Sequence, residues 1–203
     1  MMKKLLRILV CCLAASSASA LSADDSASAL VKNTTEQVLK NVQQNREELE
    51  ADPVKMLNLV SEYIFPAFDF NIISQWVLGE AWIKADDPTR EIFTDQFRKL
   101  LVRTYATALL QFSDETIEYP EVPQKAGGRT VVVMQNVSGP SMKTIPIVYR
   151  LYRKRGEWKV FDVSVDGVSL VKTYRASFGS MIKNKGLLGL VETLSEKNRL
   201  FSQ

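Results

Sequence analysis

From about Ser26 to Glu50 the chain places Val31, Thr34, Val38, Val42 and Leu49 on one face at a spacing of three and four, with charges elsewhere, which predicts an amphipathic helix. Asp52-Pro53 offers the start of a second, carrying Val54, Leu57, Val60 and Ile64 until Pro66 ends it. Asp69 to Val77 predicts a short third helix before Leu78-Gly79, with Trp76 and Trp82 on either side of the glycine. Asp86-Asp87 before Pro88 then opens the longest stripe. Phe93, Phe97, Leu100, Leu101, Tyr105, Ala108, Leu109 and Phe112 recur along it through roughly seven turns.

After that stripe the period changes to two. Thr116 to Tyr119, Thr130 to Gln135, Lys143 to Lys154 and Glu157 to Val165 read as strands, split by Pro120 and Pro123, Gly139-Pro140 and Arg155-Gly156. Four strands in succession predict an antiparallel meander. Pro146 lies inside the third and would cost a ladder hydrogen bond, so it is expected to mark a bulge or an edge. Helical spacing returns from Val168 to about Ile182 and from Leu187 to about Leu200.

The last strand and the helix after it are joined tightly. Alternation puts Phe161, Val163 and Val165 on one strand face, and after an Asp166-Gly167 turn Val171, Tyr174, Phe178 and Ile182 share a helical face. Helices on one side of a curved four-stranded antiparallel sheet make an α+β domain with an apolar space between the layers. Composition alone favours side chains filling that space over a ligand pocket.

Met1 to Ala20 stand apart. Lys3, Lys4 and Arg7 precede an apolar run from Ile8 to Ala15, and Ala18-Ser19-Ala20 has the small-x-small pattern of a signal-peptidase site. The run is far shorter than the roughly 20 apolar residues of a bilayer crossing, so it reads as a cleaved export signal. Val10 before Cys11, and Cys11 before Cys12, are not the small residue expected ahead of a lipidated cysteine. The remaining residues, 21–203, read as a single domain in a chain that is 46% hydrophobic and 24% charged. Cleavage removes both cysteines and three of the 26 basic residues, leaving bases balanced against the 23 acids. A neutral surface argues against nucleic acid as a partner, and a cysteine-free domain must be held by its core alone.

The 203 residues include no histidine, so the commonest general base, the middle member of a Ser-His-Asp system and the usual nitrogen ligand of zinc are all missing. Asp24-Asp25 and Asp86-Asp87 are the tightest acidic pairs, and both read as helix-start chemistry. Gly127-Gly128 lacks the further glycines and the Lys-Ser/Thr of a phosphate loop and reads as a hairpin turn. On residues alone, a secreted carboxylate-dependent hydrolase and a pocketless adaptor protein stay open beside a carrier.

A set of residues narrows the choice: Phe68-Asp69-Phe70, Leu78-Gly79 with Trp82, the helix of Phe93, Phe97, Leu100, Leu101, Thr104 and Tyr105, then Trp158, Asp162-Val163, Gly167-Val168-Ser169-Leu170 and Tyr174-Arg175 with Phe178. In these the chain resembles the MlaC or toluene-tolerance family, periplasmic phospholipid-binding proteins of the pathway that maintains outer-membrane lipid asymmetry in Gram-negative bacteria. Thr173 stands where the family pattern has asparagine. The resemblance implies a cystatin-like or nuclear-transport-factor-like sheet, an apolar pocket for acyl tails with the headgroup outside, no catalysis, no metal, and no cofactor beyond phospholipid as cargo. It also implies a periplasmic location and two partners, an inner-membrane ABC transporter complex with its substrate-binding ring and an outer-membrane lipoprotein associated with porins.

Under that reading Val131, Val133, Ile147, Tyr149, Leu151, Val163, Val165, Val171, Tyr174 and Phe178 line the pocket, opposed by Leu101, Tyr105 and Leu109. Alternation by itself lets either strand face point inward. Arg150, Arg153, Lys154 and Arg155, or Lys172 and Arg175, either meet the lipid phosphate or form a solvated edge. Arg175 is also expected to pair with Asp162 or Asp69 and so hold its helix to the sheet.

Overall fold

The computed structural model describes residues 23–112, 115–124, 129–140 and 142–201. Met1–Ala20, where an export signal is expected and where both cysteines lie, and Gly127-Gly128, where a turn is expected, lie outside the described residues. Helix α1 (Ala23–Gln44) is followed by α2 (Arg46–Ala51), α3 (Pro53–Tyr63), a 3-10 turn (Phe65–Ala67), α4 (Phe70–Leu78), α5 (Glu80–Lys84) and α6 (Asp87–Leu110). Strands β1 (Thr116–Glu118), β2 (Thr130–Gly139), β3 (Met142–Lys154), β4 (Glu157–Val165) and β5 (Val168–Ser169) come next, and α7 (Leu170–Phe201) ends the fold. The α+β class follows as expected, and the four-stranded meander gains a fifth, two-residue strand in the order β1-β2-β3-β4-β5.

Aspartates set the helix starts. Asp52 Oδ1 accepts the Val54 N–H at 2.9 Å, Asp86 Oδ1 the Thr89 N–H at 2.9 Å, and Asp69 Oδ1 the Ile72 N–H at 3.3 Å. Each satisfies a donor that the first helical turn leaves without a partner. The helix expected from Ser26 to Glu50 divides at Asn45, whose backbone leaves the helical region at φ −124° and ψ 23°. Asparagine side chains account for this break. Asn41 Nδ2 donates to the Gln37 carbonyl and Asn45 Nδ2 to the Asn41 carbonyl, competing with the backbone donors for the same acceptors. The final helix departs from helical geometry at Gly186 (φ 72°, ψ 174°), between the two segments that its apolar spacing predicts.

One expectation about the strands needs correction. Phe161 does not share a face with Val163 and Val165. The register shifts from Arg150↔Asp162 to Leu151↔Val160, so Phe161 is the extra residue of a bulge and meets Trp76 and Tyr152 instead. Pro146 marks an edge, as expected, because the pairing of β3 with β4 begins only at the next residue, Ile147↔Val165, and a register shift between Val137 and Gly139 of β2 lies beside it. It pairs with Asn136 in the interior strand β3, and its carbonyl accepts the Asp166 N–H at 2.9 Å, where β4 has already ended. The missing proline N–H therefore costs only a terminal rung.

Three groups of buried apolar side chains form the interior. Phe70, Ile73, Val77, Phe93, Phe97, Leu100, Val171 and Phe178 join α4, α6 and α7. Val38, Val42, Leu49, Met56, Val60, Val102 and Ala106 join α1, α2, α3 and α6. Ala27 and Val31 of α1 cover Val131, Val133, Leu151 and Val160 on one sheet face. Phe65 touches the first two groups and Phe68 the first and third.

Asp69 fastens the helical layer to the sheet. Its N–H donates to the Val160 carbonyl at 2.9 Å, while its buried carboxylate takes Lys154 Nζ at 2.6 Å and the Tyr152 hydroxyl. Burial by itself would raise the Asp69 pKa. The hydrogen bonds from Lys154, Tyr152 and the Ile72 N–H outweigh burial and hold it below its ordinary 3.8. A lowered carboxyl pKa stabilises the fold above the unfolded value and loses that stability as pH falls through the folded one. Asp69→Asn is therefore expected to cost about 2 kcal/mol at pH 7 and to flatten the loss of stability below pH ~4, read from urea midpoints at several pH values. Acid limbs of equal slope in the two proteins would contradict this role.

Candidate functional site

The joint between β4 and α7 is built around one carboxylate. The backbone turns at Asp166 and Gly167 with φ 47° and 80°, a left-handed pair that glycine tolerates without strain, and Ser169 returns to pair with Ser164. Ser169 then caps α7, its Oγ accepting the Lys172 N–H at 3.2 Å. Asp162, 6% exposed, accepts the Ser169 hydroxyl at 2.8 Å, the Val171 N–H at 3.3 Å and Arg150 Nη1 at 2.8 Å. A buried anion thus sits at the positive end of a helix dipole with a cation beside it.

This node disposes of most of the basic residues read as phosphate ligands. Arg150 serves Asp162, Lys154 serves Asp69, and Arg153 lies over the Trp158 ring at 5.0 Å. Arg155 occupies the β3–β4 turn, and Lys172 is exposed on the first turn of α7. Arg175 pairs with neither Asp162 nor Asp69, because both carboxylates already hold cations from β3. It lies instead against Gly79, where a Cβ would come within 3.2 Å of Arg175 Nη2 and φ is 57°. The Leu78-Gly79 and Tyr174-Arg175 motifs are therefore two sides of one contact.

The expected lining residues divide among the three apolar groups. Val131, Val133 and Leu151 are buried beneath α1, with Tyr149 and Val163 partly buried at the margin of that group. Val171 and Phe178 are buried among α4, α6 and α7, with Leu101 and Tyr174 partly buried beside them. Leu109 borders the group of α1 to α3. Ile147 and Val165 pair across β3 and β4 and stay half-buried. Tyr105 is 36% exposed, and its hydroxyl bonds Tyr174. Register puts Val131, Val133, Ile147, Tyr149, Leu151, Val163 and Val165 on a single sheet face, part of which α1 covers.

Polar groups at this face are satisfied. Tyr149 and Thr35 hydroxyls both donate to Gln135 Oε1, at 3.1 and 3.3 Å, and burial pushes the Tyr149 pKa upward. Burial first, then the Tyr174 hydroxyl, pushes Tyr105 up to about 12, so both phenols stay neutral at physiological pH. Among the described residues no three His, Cys, Asp or Glu side chains are placed to hold a metal, and no helix is long and apolar enough to cross a membrane. Two open surface grooves among the described residues lie away from the sheet. A groove of about 480 Å³ runs between α3, the 3-10 turn and α6, and one of about 430 Å³ runs between α5 and α7.

Residues 32–196 match the family model described as MlaC protein. The chain is 26% identical over 158 residues to the toluene tolerance protein ttg2D of Pseudomonas putida, covering 77% of this chain and 73% of that protein. It is 22% identical over 177 residues to the intermembrane phospholipid transport system binding protein MlaC of Haemophilus influenzae, covering 86% and 83%. A phospholipid-binding protein from Ralstonia solanacearum, solved in complex with a phospholipid, aligns with a TM-score of 0.80 at 30% identity, over 87% of this chain and 99% of that one.

Asp162→Ala leaves the Arg150 guanidinium and the α7 N–H groups without their anion and is expected to cost about 3 kcal/mol in urea unfolding. Ser169→Ala should cost about 1 kcal/mol, and the double variant less than the sum because both changes dismantle one node. Additive losses would show that the two side chains act separately.

Proposed function

This chain belongs to the MlaC family, and from that premise we propose that it is a phospholipid carrier, holding acyl tails between its sheet and its helices and performing no catalysis. The observation that carries this reading is the division of the apolar interior. Among the described residues the buried apolar side chains fall into three groups, and the partly buried Phe65 and Phe68 are the side chains these groups share. Leu101, Tyr174 and Val163 are half-buried against those groups, while Ile147 and Val165 are half-buried outside them. Such positions can part around a tail without dismantling a packed core.

Transfer energetics explain the need for such a protein. A phospholipid carries roughly thirty tail methylenes, and exposing them costs on the order of 20 kcal/mol at about 0.8 kcal/mol each. A soluble protein whose interior substitutes for the bilayer lowers that barrier and needs no base, nucleophile or metal. The family relation supports a periplasmic course between an outer-membrane lipoprotein–porin complex and an inner-membrane ABC transporter complex, with Met1–Ala20 as the export signal and residues 21–203 as the carrier domain. Hydrolysis is the weaker reading, since the buried carboxylates Asp69 and Asp162 are each bound to a cation of their own.

Organic extraction of the purified chain followed by mass spectrometry should recover phospholipid. Val165→Glu places a charge among the tails from a position outside all three core groups. It should strip that lipid to near background while moving the melting temperature by only a few degrees. Lipid-free wild-type protein, or a variant as fully loaded as wild type, would refute the proposal.

A further inference from the structure

The groove between α3, the 3-10 turn and α6 contains a cation that the fold does not neutralise. Arg98 is half-buried, its guanidinium carbon 4.8 Å from the Phe70 ring centroid and 5.6 Å from that of Phe65. Ring faces attract a cation but accept little from its N–H edge. Arg98 Nε is buried and has no hydrogen-bond acceptor among the described residues. The other charges in the groove cancel, with Lys99 Nζ on Asp95 Oδ2 at 2.8 Å. Asn58 and Ser61 of α3 add uncharged polar groups to the opposite wall.

The Arg98 guanidinium sits beside two rings set 71° apart, and its planar fork matches an oxyanion in two-point contact. Arg150 and Lys154 of β3 are held in ion pairs and Arg153 lies over Trp158, whereas Arg98 lines this groove with a buried donor that has no acceptor among the described residues. Its position on α6 adds direction. Tyr105 follows seven residues later on the same side of the helix, about 10 Å along the axis, and Leu101 lies between them.

The geometry points to a phosphate-binding site at Arg98, and to the phospholipid headgroup as the source of that phosphate, a step that rests on the carrier reading. The phosphate diester would meet the Arg98 fork in the groove while the tails run along α6 toward Leu101 and Tyr105. Inorganic phosphate has the same oxyanion chemistry and is the alternative source.

The test compares wild type, Arg98→Gln and Ser61→Glu, the last placing a negative charge opposite an intact Arg98. Each protein is loaded from vesicles with phosphatidylglycerol or with diacylglycerol of the same chains, and release to acceptor vesicles is timed. Amide NMR shifts at Asn58, Ser61 and Lys99 are followed separately during titration with inorganic phosphate. Wild type should hold phosphatidylglycerol roughly tenfold longer than diacylglycerol, and both variants should abolish the difference without changing diacylglycerol release. Phosphate-induced shifts in wild type alone, with equal release of both lipids, would keep the oxyanion site and assign it to free phosphate. Equal release in all three proteins with no phosphate response would overturn the site and leave the carrier reading standing. Failure of every protein to load either lipid would sink the carrier reading, and the phosphate titration would then decide the groove by itself.

Discussion

The fold depends on two buried carboxylates that do the work usually left to apolar contact between layers. Asp162 gathers the start of α7, and Asp69 gathers the start of α4, each onto a cation projecting from β3. Arg150 and Lys154 are four residues apart and so point to the same side of that strand. A buried anion with a cation, a hydroxyl and a helix N–H around it is worth little against an apolar replacement but is costly to disrupt. Its value here is positional. Two helices are pinned at their first turns to one strand pair, and the rest of each is left to pack elsewhere.

Pinning at the ends changes what the apolar surfaces must accomplish. Sheet and helices need not be welded by a continuous core, because polar ties already fix their separation. The buried side chains can therefore segregate, one group under α1 on the sheet, two among the helices. Phe65, Phe68 and Phe70 stand at the meeting point, with ring centroids 4.8 and 5.8 Å from Phe70 to its neighbours. Aromatic rings accept both offset and edge-on contacts, which suits a point where separate groups meet.

How far the chain could be read in advance depended on the kind of signal. Asp-Pro starts at Asp52 and Asp86 are local chemistry, so those helices begin where expected. The break at Asn45 depends on asparagine amides competing for carbonyls one turn back, which apolar periodicity does not record. The bulge at Phe161 was equally invisible, because an inserted residue leaves the alternation of bulky side chains looking regular while reversing one of them. Arg175, expected to tie its helix to the sheet, lies instead against Gly79 between α4 and α5. Its carboxylate candidates were near in pattern, and only the β3 register shows that other cations already held them.

The motif residues and the lining residues differ in physical kind, and this explains why family was easier to read than site. Asp162, Gly167, Ser169, Gly79 and Arg175 each satisfy a directional demand: an anion at a helix start, a left-handed turn, a cap, a guanidinium resting on a backbone without a Cβ. Few residue types meet such demands, so these positions are recognisable at 22% or 26% identity. A surface for acyl chains asks only for apolar bulk, and valine, isoleucine, leucine and tyrosine exchange there at small cost. Ile147, Val165 and Tyr105 therefore have no signature of their own. They differ even in cover, Ile147 and Val165 being half-buried and Tyr105 36% exposed.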